Sequence, residues 1–191
     1  METIDIIIAI SGLLLTVLLA LVPYYRRVYF LGPELTIELL PNGGYGGERG
    51  LSPKNDTSKG FIDANIAIHK WEVTWMMQVK ITNNSMYTAY YPKLEYFANN
   101  YKFTTLDKLD VNSPIKENEQ IVLDASYTIT EECMAKDRTQ IVGIPKELGD
   151  INILLSYKNP YKNWFYTHYT HLNRENKYTR KRPLILNENY R

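Results

Sequence analysis

Two kinds of hydrophobic pattern divide the chain. From Ile6 to Tyr25 the run IIIAISGLLLTVLLALVPYY carries no charge. At a rise of 1.5 Å per residue, a helix of about twenty residues covers roughly 30 Å, the hydrocarbon thickness of a bilayer. Pro23 lies at the far end of the run, where it closes a helix without breaking its middle. Tyr24, Tyr25 and Tyr29 fall where interfacial aromatics belong. After Gly32-Pro33 continuous apolarity gives way to alternation. Leu35, Ile37 and Leu39 alternate with polar neighbours in a short first strand. Trp71, Val73, Trp75, Met77, Val79 and Ile81 then face one way, with Lys70, Glu72, Thr74, Gln78 and Lys80 facing the other, which predicts a strand over Lys70–Thr82 with one buried face. Further strands are predicted over Tyr90–Phe97, with Pro92 on an edge or at a bulge, more weakly over Phe103–Leu109, then over Gln120–Thr128. Ile151, Ile153, Leu155 and Tyr157 repeat the pattern after a turn-like Pro145–Gly149, and an aromatic strand closes the series over Trp164–Leu172. Ile62, Ala64, Ile66 and Ile68 alternate with the opposite parity to Trp71–Ile81, so either a bulge near His69 shifts the register or two elements meet there.

Short strands separated by turn residues mark a sandwich or barrel. The organisation predicted is a transmembrane helix over 4–25, a juxtamembrane linker over 26–33, a β-sandwich over 34–173 and a basic tail over 174–191. The opening Met-Glu-Thr-Ile-Asp lacks the positive start of a secretory signal, so the apolar run reads as an uncleaved anchor. Glu2 and Asp5 precede it, while Arg26 and Arg27 follow it. The positive-inside rule then gives a single-pass protein of the cell inner membrane, its N-terminus outside and its domain cytoplasmic.

Val79-Lys80-Ile81-Thr82-Asn83-Asn84-Ser85, followed by Tyr87-Thr88-Ala89-Tyr90 and Lys93-Leu94-Glu95-Tyr96, resembles the strand–turn–strand of bacterial immunoglobulin-like modules, the cell-adhesion-related domains among them. Those modules commonly carry Gly where this chain has Ser85. The resemblance implies an all-β, immunoglobulin-like β-sandwich of about seven strands behind the transmembrane α-helix. It brings no catalytic residues.

Composition narrows the function. The chain has 191 residues, 45% hydrophobic and 23% charged, with a formal net charge of +1. Phosphate neutralisation needs a concentrated excess of cations, so nucleic acid is not an expected partner. Cys133 is the single cysteine, which excludes an intrachain disulfide and a cysteine zinc cluster. Glu131 and Glu132 beside it raise a thiol pKa, the wrong direction for a nucleophile. His168 and His171 stand three apart, which on a strand sends them to opposite faces, so no metal site is expected. The carboxylates form no acid/base motif. The expectation is therefore no enzyme and no cofactor.

What remains are candidate surfaces. Gly43-Gly44-Tyr45-Gly46-Gly47-Glu48-Arg49-Gly50 lacks the Gly-Lys-Ser/Thr ending and helix of a phosphate loop. It reads as a crossover between strands, or as a partner loop with Tyr45 and Arg49 as its contacts. Trp164 and Tyr166 are the corresponding anchors of the last aromatic strand. Arg26, Arg27, Arg180, Lys181 and Arg182 are expected at anionic headgroups. The function expected is a membrane-tethered binding module that recognises a protein partner, a second copy through self-association, or a small ligand. The alternative is a membrane-acting effector, resembling in architecture the bacterial defence proteins whose β-domain senses a nucleotide signal.

Overall fold

The computed structural model describes residues 2–26, 28, 31–56, 58, 60, 62, 66–98, 102–134, 137 and 145–184. A helix, α1 (Glu2–Tyr25), precedes eight strands: β1 (Leu35–Leu51), β2 (Ile68–Asn83), β3 (Tyr90–Phe97), β4 (Thr105–Leu106), β5 (Gln120–Met134), β6 (Asn152–Lys158), β7 (Trp164–Thr170) and β8 (Glu175–Thr179). They form two four-stranded sheets of order β1-β2-β5-β4 and β3-β6-β7-β8. Every strand pairing is antiparallel. The fold is an all-β sandwich with one helix in front of it.

Trp71, placed on the same face, is only half-buried, but from Val73 on the period-two reading of β2 carries through: Val73, Trp75, Met77, Val79 and Ile81 are all buried. They meet Leu35, Ile37 and Leu39 of β1, Leu123, Ala125 and Tyr127 of β5, and Ile153, Leu155, Tyr157, Phe165 and Tyr169 of the second sheet in one core. Trp75 stands opposite Tyr127 in the ladder, and the two rings stack with centroids 5.8 Å apart. Such a cross-strand aromatic pair adds about 1 kcal/mol beyond the area it buries. Asn83 ends β2 fully buried and serves as the turn's hub. Its Nδ2 donates to the carbonyls of Tyr87 and Ile115, and its Oδ1 accepts from the N–H and hydroxyl of Ser85. Pro92 does sit at a bulge. The β3–β6 register slips between Tyr90 and Lys93, on the edge strand of its sheet.

Several expectations need correction. The glycine-rich stretch is no crossover: Gly44–Glu48 runs on within β1 and pairs with Trp71–Trp75 of β2. Glycine costs a strand entropy and packing, which is why composition pointed to a loop, but an uninterrupted partner strand is sufficient to hold it. Thr74, assigned to the solvent face, is buried, and its hydroxyl lies 2.9 Å from that of Thr128. The weak third signal reduces to the two residues of β4. The sheet also continues beyond residue 173, because β8 pairs with β7 from Glu175 to Thr179. There are thus eight strands among the described residues rather than about seven, and the basic stretch starts as an edge strand. The parity change before β2 falls partly on residues outside those described. The register slip nearest to it lies on β1, between Glu48 and Leu51, opposite His69.

The two sheets are laced together along one side. The N–H and carbonyl of Ile37 on edge strand β1 are met by the side-chain amide of Asn176 on β8, at 2.9 and 3.0 Å. Thr167 donates to the Leu35 carbonyl and Tyr157 to that of Pro33. Side chains thereby cap the first half of an otherwise open edge.

In α1, the large apolar residues described are exposed on every side; Leu13, Leu14 and Leu15 alone span most of the circumference. Over the described side chains, which begin at Ile8, no helix is long and apolar enough to cross a membrane.

Candidate functional site

Two surfaces bring together the residues singled out in the sequence, and they lie on different sheets. The first is the far half of sheet one, where β1, β2 and β5 run on past the shorter strands. The β2–β5 register is unbroken from Ile68 to Thr82. Asn83 exchanges backbone bonds with Asn118 and Glu119 on the β5 side. Odd positions of β2 therefore bond toward β5, and even positions toward β1. Tyr45 and Gly47, opposite Thr74 and Glu72, turn their backbone groups inward. Gly44, Gly46 and Glu48 turn theirs outward. Among the described residues no strand covers this outer side of β1. Gly43 (φ +91°) and Gly50 (φ +110°) flank the segment at the two register slips, where a left-handed backbone favours glycine.

Tyr45 is 60% exposed on this edge. Arg49 is held by an ion pair with Glu72, which pushes the guanidinium pKa up first through the hydrogen bond and then through charge. Glu48 contacts His69 Nδ1 at 2.6 Å, and Lys54 contacts Glu132 at 2.6 Å. This half of β1 is thus a side-chain-poor edge bordered by paired charges. Its chemistry is main-chain hydrogen bonding with one exposed phenol.

The second surface is where the chain enters the sandwich. Asn159, 1% exposed at the head of the β6–β7 turn, donates from Nδ2 to the carbonyls of Val28 (3.1 Å) and Leu31 (3.4 Å). Its Oδ1 accepts from the N–H groups of Tyr161 and Asn163, both at 3.0 Å. Asn163 donates a second bond to the Val28 carbonyl at 2.8 Å. Two asparagines therefore clamp the stretch just after α1, and Leu31 bonds back to the Arg26 carbonyl at 3.1 Å. Gly32 is required by close approach, because a Cβ there would lie 2.3 Å from the Phe165 ring. Tyr157 stacks on Phe165 and hydrogen-bonds Pro33 and Thr167. Burial pushes its phenol pKa up to about 12, so it remains a neutral donor.

Trp164 and Tyr166 stack on this side at 6.3 Å, and Lys158 lies over the Trp164 ring at 4.6 Å. A cleft of about 320 Å³ runs beside them, lined by Pro33, Glu34, Tyr166, Tyr178 and Arg180 among others. Its volume is at the lower end of small-molecule sites. Of the cations expected at headgroups, Arg26 follows α1 directly and Arg27 lies outside the described residues. Arg180 sits over the Phe165 ring and Arg182 bonds Glu95 at 2.7 Å, while Lys181 lies between them just past β8. These residues belong to the sandwich wall as much as to a tail.

Compared with protein families, curated proteins and solved structures, the chain matches none.

The remaining chemistry is sparse. Partial burial, then Glu131 and Asp137, pushes the Cys133 thiol pKa up, which disfavours the nucleophilic form. His168 Nε2 lies 3.0 Å from the Asn152 amide oxygen and His171 Nδ1 lies 3.2 Å from the Tyr169 hydroxyl. Burial lowers both histidine pKa values, with nearby Lys177 and Arg174 adding to it. Among the described residues no cluster suited to a metal ion occurs.

The asparagine clamp is not legible in the sequence. Asn159-Pro160 is an ordinary turn signal, and nothing in it announces which carbonyls the amide reaches. A second asparagine four residues later was the one available hint.

Proposed function

We propose that this chain is a membrane-tethered binding module, with α1 as its anchor and the open half of β1 as its recognition edge. The observation that carries the reading is the contrast between the two parts. The sandwich closes its own core and caps the near half of its edge, whereas α1 exposes large apolar side chains on all sides. A helix apolar all round needs a partner of the same character, and a bilayer supplies it. The sequence carries the apolar run back to Ile6, and the whole helix of 24 residues is about 36 Å long. Glu2 and Asp5 before the run, with Arg26 and Arg27 after it, favour a domain on the cytoplasmic side of the inner membrane.

The order β1-β2-β5-β4 against β3-β6-β7 is that of a seven-strand immunoglobulin-like sandwich, with β8 added beside β7. That order supports an immunoglobulin-like fold. Recognition by strand addition suits Gly44–Glu48: main-chain groups supply the bonds, and Tyr45 and Arg49 supply selectivity. Trp164 and Tyr166, with the cleft beside them, form a second contact surface near the anchor. Tethering raises the effective concentration of the module near membrane-bound partners.

The test is site-specific photocrosslinking in cells. A crosslinker at Tyr45 should give a discrete adduct, while one at Met86, exposed in the β2–β3 turn, should give none. Equal labelling at both positions, or none at either, would remove the recognition edge from the account.

A further inference from the structure

We propose that the β6–β7 end of the sandwich rests on the lipid headgroup layer, with Tyr161 and Trp164 as interfacial aromatics and Lys158 and Lys162 as headgroup cations. This inference rests on reading α1 as the anchor and adds to it a fixed domain orientation.

The asparagine clamp holds the β6–β7 turn against the carbonyls of Val28 and Leu31. Val28 follows the last residue of α1, Tyr25, by three positions, and three residues span at most about 10 Å. The headgroup region itself is only about 5–8 Å deep on each side. A turn clamped that close to the helix end cannot stand far from the bilayer face.

Its side chains suit that place. Tyr161 and Trp164 are 49% and 43% exposed. Their amphipathic rings are the type enriched where an apolar body and a polar tip are both accommodated. The Lys158 ammonium lies over two rings, 4.6 Å from the Trp164 centroid and 5.6 Å from that of Tyr91, which places its positive charge on the same aromatic face. From Lys158 to Trp164 the sequence KNPYKNW carries two lysines and no carboxylate, the charge pattern that anionic headgroups favour. A protein partner at this end would have to reach into the same thin layer, so the lipid surface is the occupant the geometry favours.

The experiment uses the full chain in vesicles of phosphatidylcholine and phosphatidylglycerol, with and without brominated acyl chains, and reads tryptophan fluorescence. Wild type should float with the vesicles and be quenched by the brominated lipid. The quenching should be lost in Trp164→Phe, leaving the emission of Trp71 and Trp75 intact. In Lys158→Glu/Lys162→Glu the quenching should no longer rise with the anionic fraction. A nitroxide at Tyr161→Cys in a Cys133→Ser background should report headgroup depth, which tests the same contact without changing Trp164. Flotation without quenching, or with quenching that survives Trp164→Phe, together with a fully aqueous nitroxide, would overturn the docking while leaving the anchor in place. Failure to float would overturn the anchor and the docking together.

Discussion

Replacing Asn159 with Ala should unfold the junction between helix and sandwich more than any exposed asparagine can. The amide is 1% exposed and makes four contacts: two donated to Val28 and Leu31, two accepted from Tyr161 and Asn163. At about 1 kcal/mol net for each well-formed bond, and less for the 3.4 Å contact, the loss amounts to about 3 kcal/mol. The Val28 carbonyl keeps its bond from Asn163, which prevents a larger figure. Asn159→Asp preserves shape but turns an acceptor-only group toward two carbonyls, and should cost at least as much. Asn84 provides the control. Its amide donates one exposed bond to Thr36, and its removal should cost about 0.5 kcal/mol or less. The assay is urea unfolding of the full chain in detergent micelles, followed by tryptophan emission. An Asn159→Ala variant within about 0.5 kcal/mol of wild type would refute the clamp as a stabilising element.

Other outcomes follow from the same packing. Trp75→Ala should cost about 3–5 kcal/mol in that assay. Thr74→Ala should cost about 1–2 kcal/mol because its buried hydroxyl loses Thr128; no effect would return Thr74 to the solvent face. Gly32→Ala forces the Phe165 ring to move and should cost about 1–3 kcal/mol, seen as a lower unfolding midpoint. His168 and His171 are held neutral in the fold, their pKa values below 6.5. Unfolding then takes up protons, so stability is complete above about pH 6.5 and declines as pH falls through the lowered values. His168→Gln should flatten that slope in a pH series of unfolding midpoints, and an unchanged slope would exclude His168 as a source.

The fold was legible where burial alternates and illegible where it does not. Val73–Ile81 announced β2 because every odd position of that stretch faces the core. Gly44–Glu48 concealed its strand because glycine leaves no alternation to read, and its pairing comes from β2 across the ladder. Thr74 was misjudged for a related reason: a small hydroxyl with a cross-strand partner can be buried on the polar face. β8 was hidden in a basic stretch, since Glu175-Asn176-Lys177 reads as solvated tail until Asn176 is seen to cap Ile37. Tyr45, Arg49, Trp164 and Tyr166 were visible as aromatic and cationic exceptions, but their division between two sheets depends on topology that spacing does not encode.

The central claim is that α1 ties the sandwich to a membrane. Alkaline carbonate extraction of cell membranes tests it, comparing the full chain with the segment Arg26–Arg191, which lacks α1 but keeps the clamped Val28 and Leu31. The full chain should stay in the membrane pellet after extraction, and the shortened chain should not. Release of the full chain into the carbonate supernatant would contradict it.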